Sequence, residues 1–138
     1  MLSARARIAV AWLPAAVYMG VIWTLSSLSL TDWSVSRVPF GDKGVHLVEY
    51  GVLGLLVAHA ALRTWPRRHA LRTATLALFL TVLFGFVDEV HQAVVPGRES
   101  EALDLVADAA GAGLGVALRY AISLGAALAR RRAEPVER

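Results

Sequence analysis

The chain has 138 residues, room for one domain. Hydrophobic residues make up 57% of it and charged residues only 18%, where an ordinary soluble domain carries about 25% charge, so the composition fits a chain with lipid as its solvent. The net charge is +3, but the arginines sit in short clusters between apolar runs with no basic stripe of interleaved aromatics, which speaks against nucleic acid as a partner. The absence of cysteine excludes disulfides, thiolate metal sites and a Cys nucleophile.

Four apolar stretches predict an all-α, four-helix membrane bundle as a single domain, with helices over about 8–28, 45–62, 74–95 and 102–122. The first, Ile8 to Leu28, holds no charged residue and is long enough to cross the ~30 Å hydrocarbon core. It exceeds the apolar core of a signal peptide and lacks a small-x-small cleavage site after it, so it reads as a retained helix with Pro14 tolerated inside. Ser26 and Ser27 at its end are candidates to line a polar site. Ser29 to Gly41 reads as a loop.

The second stretch, Val45 to Leu62, carries His46, Glu49 and His59. The third, Ala74 to Val95, is apolar until Asp88 and Glu89, and Pro96-Gly97 marks a tight turn after it. The fourth, Ala102 to Ile122, is rich in Ala and Gly and has Asp104 and Asp108 near its start. Gly111 and Gly115 make a small-xxx-small pair, suited to packing inside the bundle or to a homo-oligomer. The segment from Arg130 to Arg138 reads as a frayed Arg-rich tail. Trp12, Trp23, Trp33 and Trp65 read as interfacial anchors.

Orientation follows from the positive-inside rule. Ten basic residues (Arg5, Arg7, Arg63, Arg67, Arg68, Arg72, Arg130, Arg131, Arg132, Arg138) fall on one side of the spans, and three (Arg37, Lys43, Arg98) on the other. Both termini are therefore expected in the cytoplasm, with Arg119 snorkelling toward that side. The expected location is the bacterial inner membrane.

Ionisable residues within a span cost about 2.5–3.5 kcal/mol each and by default mark function. Here they form two patches. In Asp42 to Tyr50, the residues Asp42, His46 and Glu49 follow i, i+4, i+7 and share a helical face. In Asp88 to Gly111, Asp88 and Gln92 share a face, as do Asp104 and Asp108. With the four-helix topology all of these fall in the outer third of the membrane.

In order and spacing these patches resemble the signature of the VanZ-like family, named for a teicoplanin-resistance protein. The matching residues are Asp42-Lys43, His46, Glu49-Tyr50, Asp88-Glu89, Gln92, Pro96-Gly97-Arg98 and Asp104, within a resemblance spanning about Trp23 to Gly115. One departure is Asp108, where the pattern usually has Asn. The resemblance implies a multi-pass envelope protein, in some members tied to reduced glycopeptide susceptibility, and supplies no reaction.

From the residues themselves, His46, Glu49, Asp88 and Glu89 are candidate acid–base groups. Asp42, Lys43, Tyr50, Gln92, Arg98, Asp104 and Asp108 are candidates for holding a lipid-linked or phosphate-bearing envelope precursor, with Lys43 and Arg98 facing the phosphate. A divalent cation on His46, Glu49, Asp88 and Glu89 is a weakly signalled addition, since no HExxH or Cys/His framework exists. Two other readings stay open: a non-catalytic lipid-binding or transport protein, and a cluster whose salt bridges only hold the helices together.

Overall fold

The computed structural model describes residues 2–28, 41–66, 69–98 and 100–133. It is all-α, with helices α1 (Ala4–Ser26), α2 (Gly41–Thr64), α3 (Ala70–Gln92) and α4 (Ala102–Ala133) and no strand among the described residues. All four are long and apolar enough to cross a membrane, which makes this a multi-pass membrane protein.

The boundaries differ from those expected, for local reasons. α1 starts earlier, where the Ser3 hydroxyl accepts a hydrogen bond from the Ala6 amide at 3.2 Å, one of the orphan donors of a first turn. α2 takes in the whole Asp42-Lys43-Gly44 turn, starting from Gly41 at φ 63°, a left-handed backbone that suits glycine. α3 ends at Gln92, three residues short of the apolar run, because the chain turns through Gly97 at φ 81°. α4 continues to Ala133, so Arg130 to Arg132 are helical rather than frayed. The loop expected over Ser29 to Gly41, with Arg37 and Trp33, lies outside the described residues except for Gly41, as do Arg67, Arg68 and residues 134–138.

Much of the bundle's apolar side-chain surface faces outward. Val10, Leu13, Val17 and Val21 on α1, Phe79, Leu83 and Phe86 on α3, and Leu114, Leu118 and Ile122 on α4 are all exposed. In water this would be an unfavourable surface; against acyl chains it is the expected one. The interior is instead built of small residues and a few large ones, chiefly Ile22, Tyr50, Leu53, Ala58, Ala61, Ala77 and Val116.

α2 and α4 form the most extensive helix pair, and glycine makes it close. A Cβ on Gly111 would stand 2.2 Å from the Leu47 carbonyl oxygen, and one on Gly115 would stand 1.9 Å from that of Gly51. Without an aqueous hydrophobic drive, helices in lipid associate through such close backbone approach. The small-xxx-small pair is thus occupied within the chain by α2, and a second copy is not needed to account for it.

Arg119 does not simply reach for the membrane surface. It is half-buried, with Nε donating to His59 Nδ1 at 3.3 Å and Nη1 donating to the Ser123 hydroxyl. Trp12 likewise ties α1 to α2, its Nε1 donating to Thr64 Oγ1 at 2.8 Å. These contacts lie toward the end of the bundle that carries both termini. The polar constellation lies toward the other.

Candidate functional site

At that second end α1 and α3 finish while α2 and α4 begin, so a first or last turn of every helix can contribute a side chain. The sequence uses this. Ser26 closes α1, Lys43 and His46 open α2, Asp88, Glu89 and Gln92 close α3, and Asp104 and Asp108 open α4. Of these only Lys43 is not buried.

Two rungs join α2 to α4. Lys43 Nζ lies 2.6 Å from Asp104 Oδ1, and His46 Nδ1 lies 2.9 Å from Asp108 Oδ1. Lys43 advances three residues to His46 and Asp104 four to Asp108, so each helix presents one stripe to the other. Lys43 also reaches Glu101 at 2.8 Å and Asp42 at 3.2 Å. An ammonium has three hydrogens, and here three carboxylates surround it.

A second group joins α1 to α3. Ser26 Oγ donates to Asp88 Oδ2 at 2.7 Å, and Gln92 Nε2 donates to the same oxygen at 3.0 Å. The shared face expected of Asp88 and Gln92 is therefore real, and Ser26 takes the lining position its depth suggested. Glu89 turns elsewhere and accepts at Oε2 from the Ser100 hydroxyl at 2.9 Å.

Not every sequence-predicted residue joins this core. Asp42 is exposed and Glu49 half-buried, so the Asp42–His46–Glu49 stripe only partly points inward. His46 takes Asp108 as its partner, not Glu49. Tyr50 is fully buried, with its ring nearly parallel to that of His46 at 6.4 Å between centroids.

Two contributions have no motif to announce them. Ser100 precedes α4 in a polar segment without periodicity, and only the fold brings it to Glu89. His91 stacks on Trp23 with 4.0 Å between ring centroids, and its Nε2 lies 2.9 Å from the Ser27 hydroxyl.

Several polar atoms in the cluster are buried without a hydrogen-bond partner among the described residues: Asp88 Oδ1, Glu89 Oε1, Asp108 Oδ2, the Tyr50 hydroxyl and Arg98 Nε. Buried polar atoms in folded proteins are overwhelmingly paired. Arg98 is anchored through a donation from its terminal nitrogen to the Leu25 carbonyl at 2.9 Å. It stands in an acid-rich neighbourhood, yet forms no ion pair with any described carboxylate.

One ligand atom each from His46, Glu89 and Asp108 lies within 4.8 Å of the others. This group shares His46 and Glu89 with the set expected from the sequence and adds Asp108.

A family model described as VanZ/LLP1 matches residues 5–123. The chain belongs to the VanZ/LLP1 family. The match covers α1 but for its first residue, α2 and α3 entirely and most of α4, so the polar constellation lies wholly inside the family's own region. No curated protein and no solved structure gave a match.

Proposed function

We propose that this VanZ/LLP1-family protein binds and acts on a lipid-linked, phosphate-bearing envelope substrate at the non-cytoplasmic face of the bacterial inner membrane. The observation that carries this reading is the state of Arg98. A guanidinium is a planar fork suited to phosphate oxygens, and this one keeps Nε buried and unpartnered while every described carboxylate lies beyond ion-pair distance. Lys43 serves less well for the same task, because its hydrogens are directed at Asp42, Glu101 and Asp104.

A lipid-linked substrate suits the surroundings. The helices flanking the cluster expose Leu25, Phe86, Val90 and Leu103, an apolar surface on which an acyl or prenyl chain can lie while its head group turns inward. The buried carboxylates and His46 then stand beside the head group as the acid–base equipment. An effect on teicoplanin susceptibility would be a consequence of handling such a precursor.

The test uses the full chain in detergent with a polyprenyl phosphate, and the uncharged polyprenol as its comparison. Binding should require the phosphate and fall at least about tenfold in Arg98→Gln, the loss of one charge-assisted contact of about 1.4 kcal/mol or more. Equal affinity for phosphate and alcohol, or an Arg98→Gln variant that binds like the parent, overturns the reading.

A further inference from the structure

We infer that His46, Glu89 and Asp108 form a binding site for a divalent first-row metal ion. The three residues come from α2, α3 and α4, and all are buried, with Glu89 6% and Asp108 0% exposed. The inference rests on the oxygens that the fold leaves over. Asp108 uses Oδ1 on His46 and Glu89 uses Oε2 on Ser100, which leaves Asp108 Oδ2 and Glu89 Oε1 buried and unpartnered among the described residues. A carboxylate oxygen in hydrocarbon with nothing to accept from is costly, and two of them beside one imidazole are a ligand set.

Charge leads to the same place. Lys43 neutralises Asp104, but the partners of Glu89 and Asp88 are neutral: Ser100 for the first, Ser26 and Gln92 for the second. Among the described residues, the one base in ion-pair contact with this inner group is His46. Acidic side chains from α3 and α4 thus meet at low dielectric with less positive charge than negative, and a dication supplies the difference.

Space is provided by a glycine. A Cβ on Gly85 of α3 would come within 2.9 Å of Asp108 Oδ2 and 3.1 Å of Tyr50 Cε1, so the side of Asp108 that carries its free oxygen stays open only because residue 85 has no side chain. An ion with ~2.1 Å bonds holds ligand pairs roughly 3–4 Å apart. The ligand atoms of the set lie within 4.8 Å of one another, which asks only for a small rotation of side chains.

One imidazole with two carboxylates and no thiolate favours Mn²⁺ or Zn²⁺ over soft ions. To the extent that the ion would also face a substrate phosphate, beside Arg98, it rests on the function proposed above. The metal site itself does not.

The experiment therefore uses no lipid. The purified full chain is stripped with chelator, and Zn²⁺ and Mn²⁺ are titrated calorimetrically, with elemental analysis after dialysis. The parent should retain about one ion per chain. Asp108→Asn and Glu89→Gln should bind at least about tenfold more weakly, while His91→Gln, outside the set, should bind like the parent. Because a variant can fail to fold, the parent loaded with Mn²⁺ is also examined by pulsed electron paramagnetic resonance, where modulation from a ligating imidazole nitrogen is expected. Absence of stoichiometric binding, absence of that nitrogen signal, or undiminished binding in a folded Asp108→Asn overturns the site. Metal binding without polyprenyl-phosphate binding would sink only the functional reading, and the reverse result only the metal.

Discussion

The imidazole of His46 and the carboxylate of Asp108 meet at 2.9 Å across the interface of α2 and α4, both buried within the span. Removing one member of a buried pair leaves the other uncompensated at a cost of about 3–5 kcal/mol. His46→Ala and Asp108→Ala should therefore each lower the detergent melting temperature strongly, and the double variant should lose less than the sum. Asp108→Asn behaves differently, since its amide oxygen still accepts from Nδ1. We expect it to fold with a loss under about 1.5 kcal/mol, in keeping with the asparagine usual at this position in the family pattern. A loss as large as that of Asp108→Ala would mean that charge, not the hydrogen bond, holds the helices.

Lys43 and Asp104 give a second case, with an internal comparison. Asp104 is nearly inaccessible, while Glu101 and Asp42 on the same ammonium are exposed. Lys43→Met should cost about 1.5–3 kcal/mol, because the buried Asp104 loses a charge-assisted partner. Glu101→Gln should cost under about 1 kcal/mol, as solvent-exposed ion pairs do. Chemical or thermal unfolding followed by circular dichroism checks both. Equal losses would show that Lys43 is held by the exposed carboxylates rather than by Asp104.

These pairings mark the line between what one sequence reveals and what needs a fold. The four helices were legible because a span is written as an unbroken apolar run, and their shared polar end was legible because short connections fix antiparallel order. The Asp88–Gln92 contact was legible too, since i, i+4 spacing is a property of one helix. Partner choice between helices was not. His46 has Glu49 three residues away on its own helix and Asp108 sixty-two positions along the chain, and helix rotation, which no local pattern encodes, decides for Asp108. Ser100 escaped for the same reason. Arg119, apolar-flanked and unmatched in its own helix except by Ser123, gave no hint of His59.

Glycine packing between α2 and α4 predicts unequal responses to one change. Gly115→Ala would drive a methyl group to 1.9 Å from the Gly51 carbonyl oxygen, a contact that only helix separation relieves. Overpacking of this kind costs about 1–3 kcal/mol, and here it would also loosen the Lys43 and His46 rungs. Gly125→Ala on the same helix meets nothing within 4 Å and should be neutral or stabilising by up to about 1 kcal/mol. A bundle that melts alike with either substitution would place the α2–α4 contact elsewhere.

The direction of the bundle in the membrane yields the last prediction. The ends of α1 and α3 and the starts of α2 and α4 share one end of the molecule, as the Ser26–Asp88 and Lys43–Asp104 contacts require. A single reporter therefore fixes the side of the whole polar constellation. Arg5, Arg7, Arg63, Arg72 and Arg130 to Arg132 lie toward the opposite end, and basic residues are retained on the cytoplasmic side. A reporter fused after Arg68 should give a cytoplasmic signal, and one fused after Arg98 a non-cytoplasmic signal. Moving two of the four basic residues Arg63, Arg67, Arg68 and Arg72 out of their segment should weaken this preference without inverting it, because the N-terminal and C-terminal clusters remain. A cytoplasmic signal after Arg98 in the parent chain would invert the assigned topology. It would also turn the search for a substrate of Arg98 toward phosphate-bearing molecules of the inner leaflet.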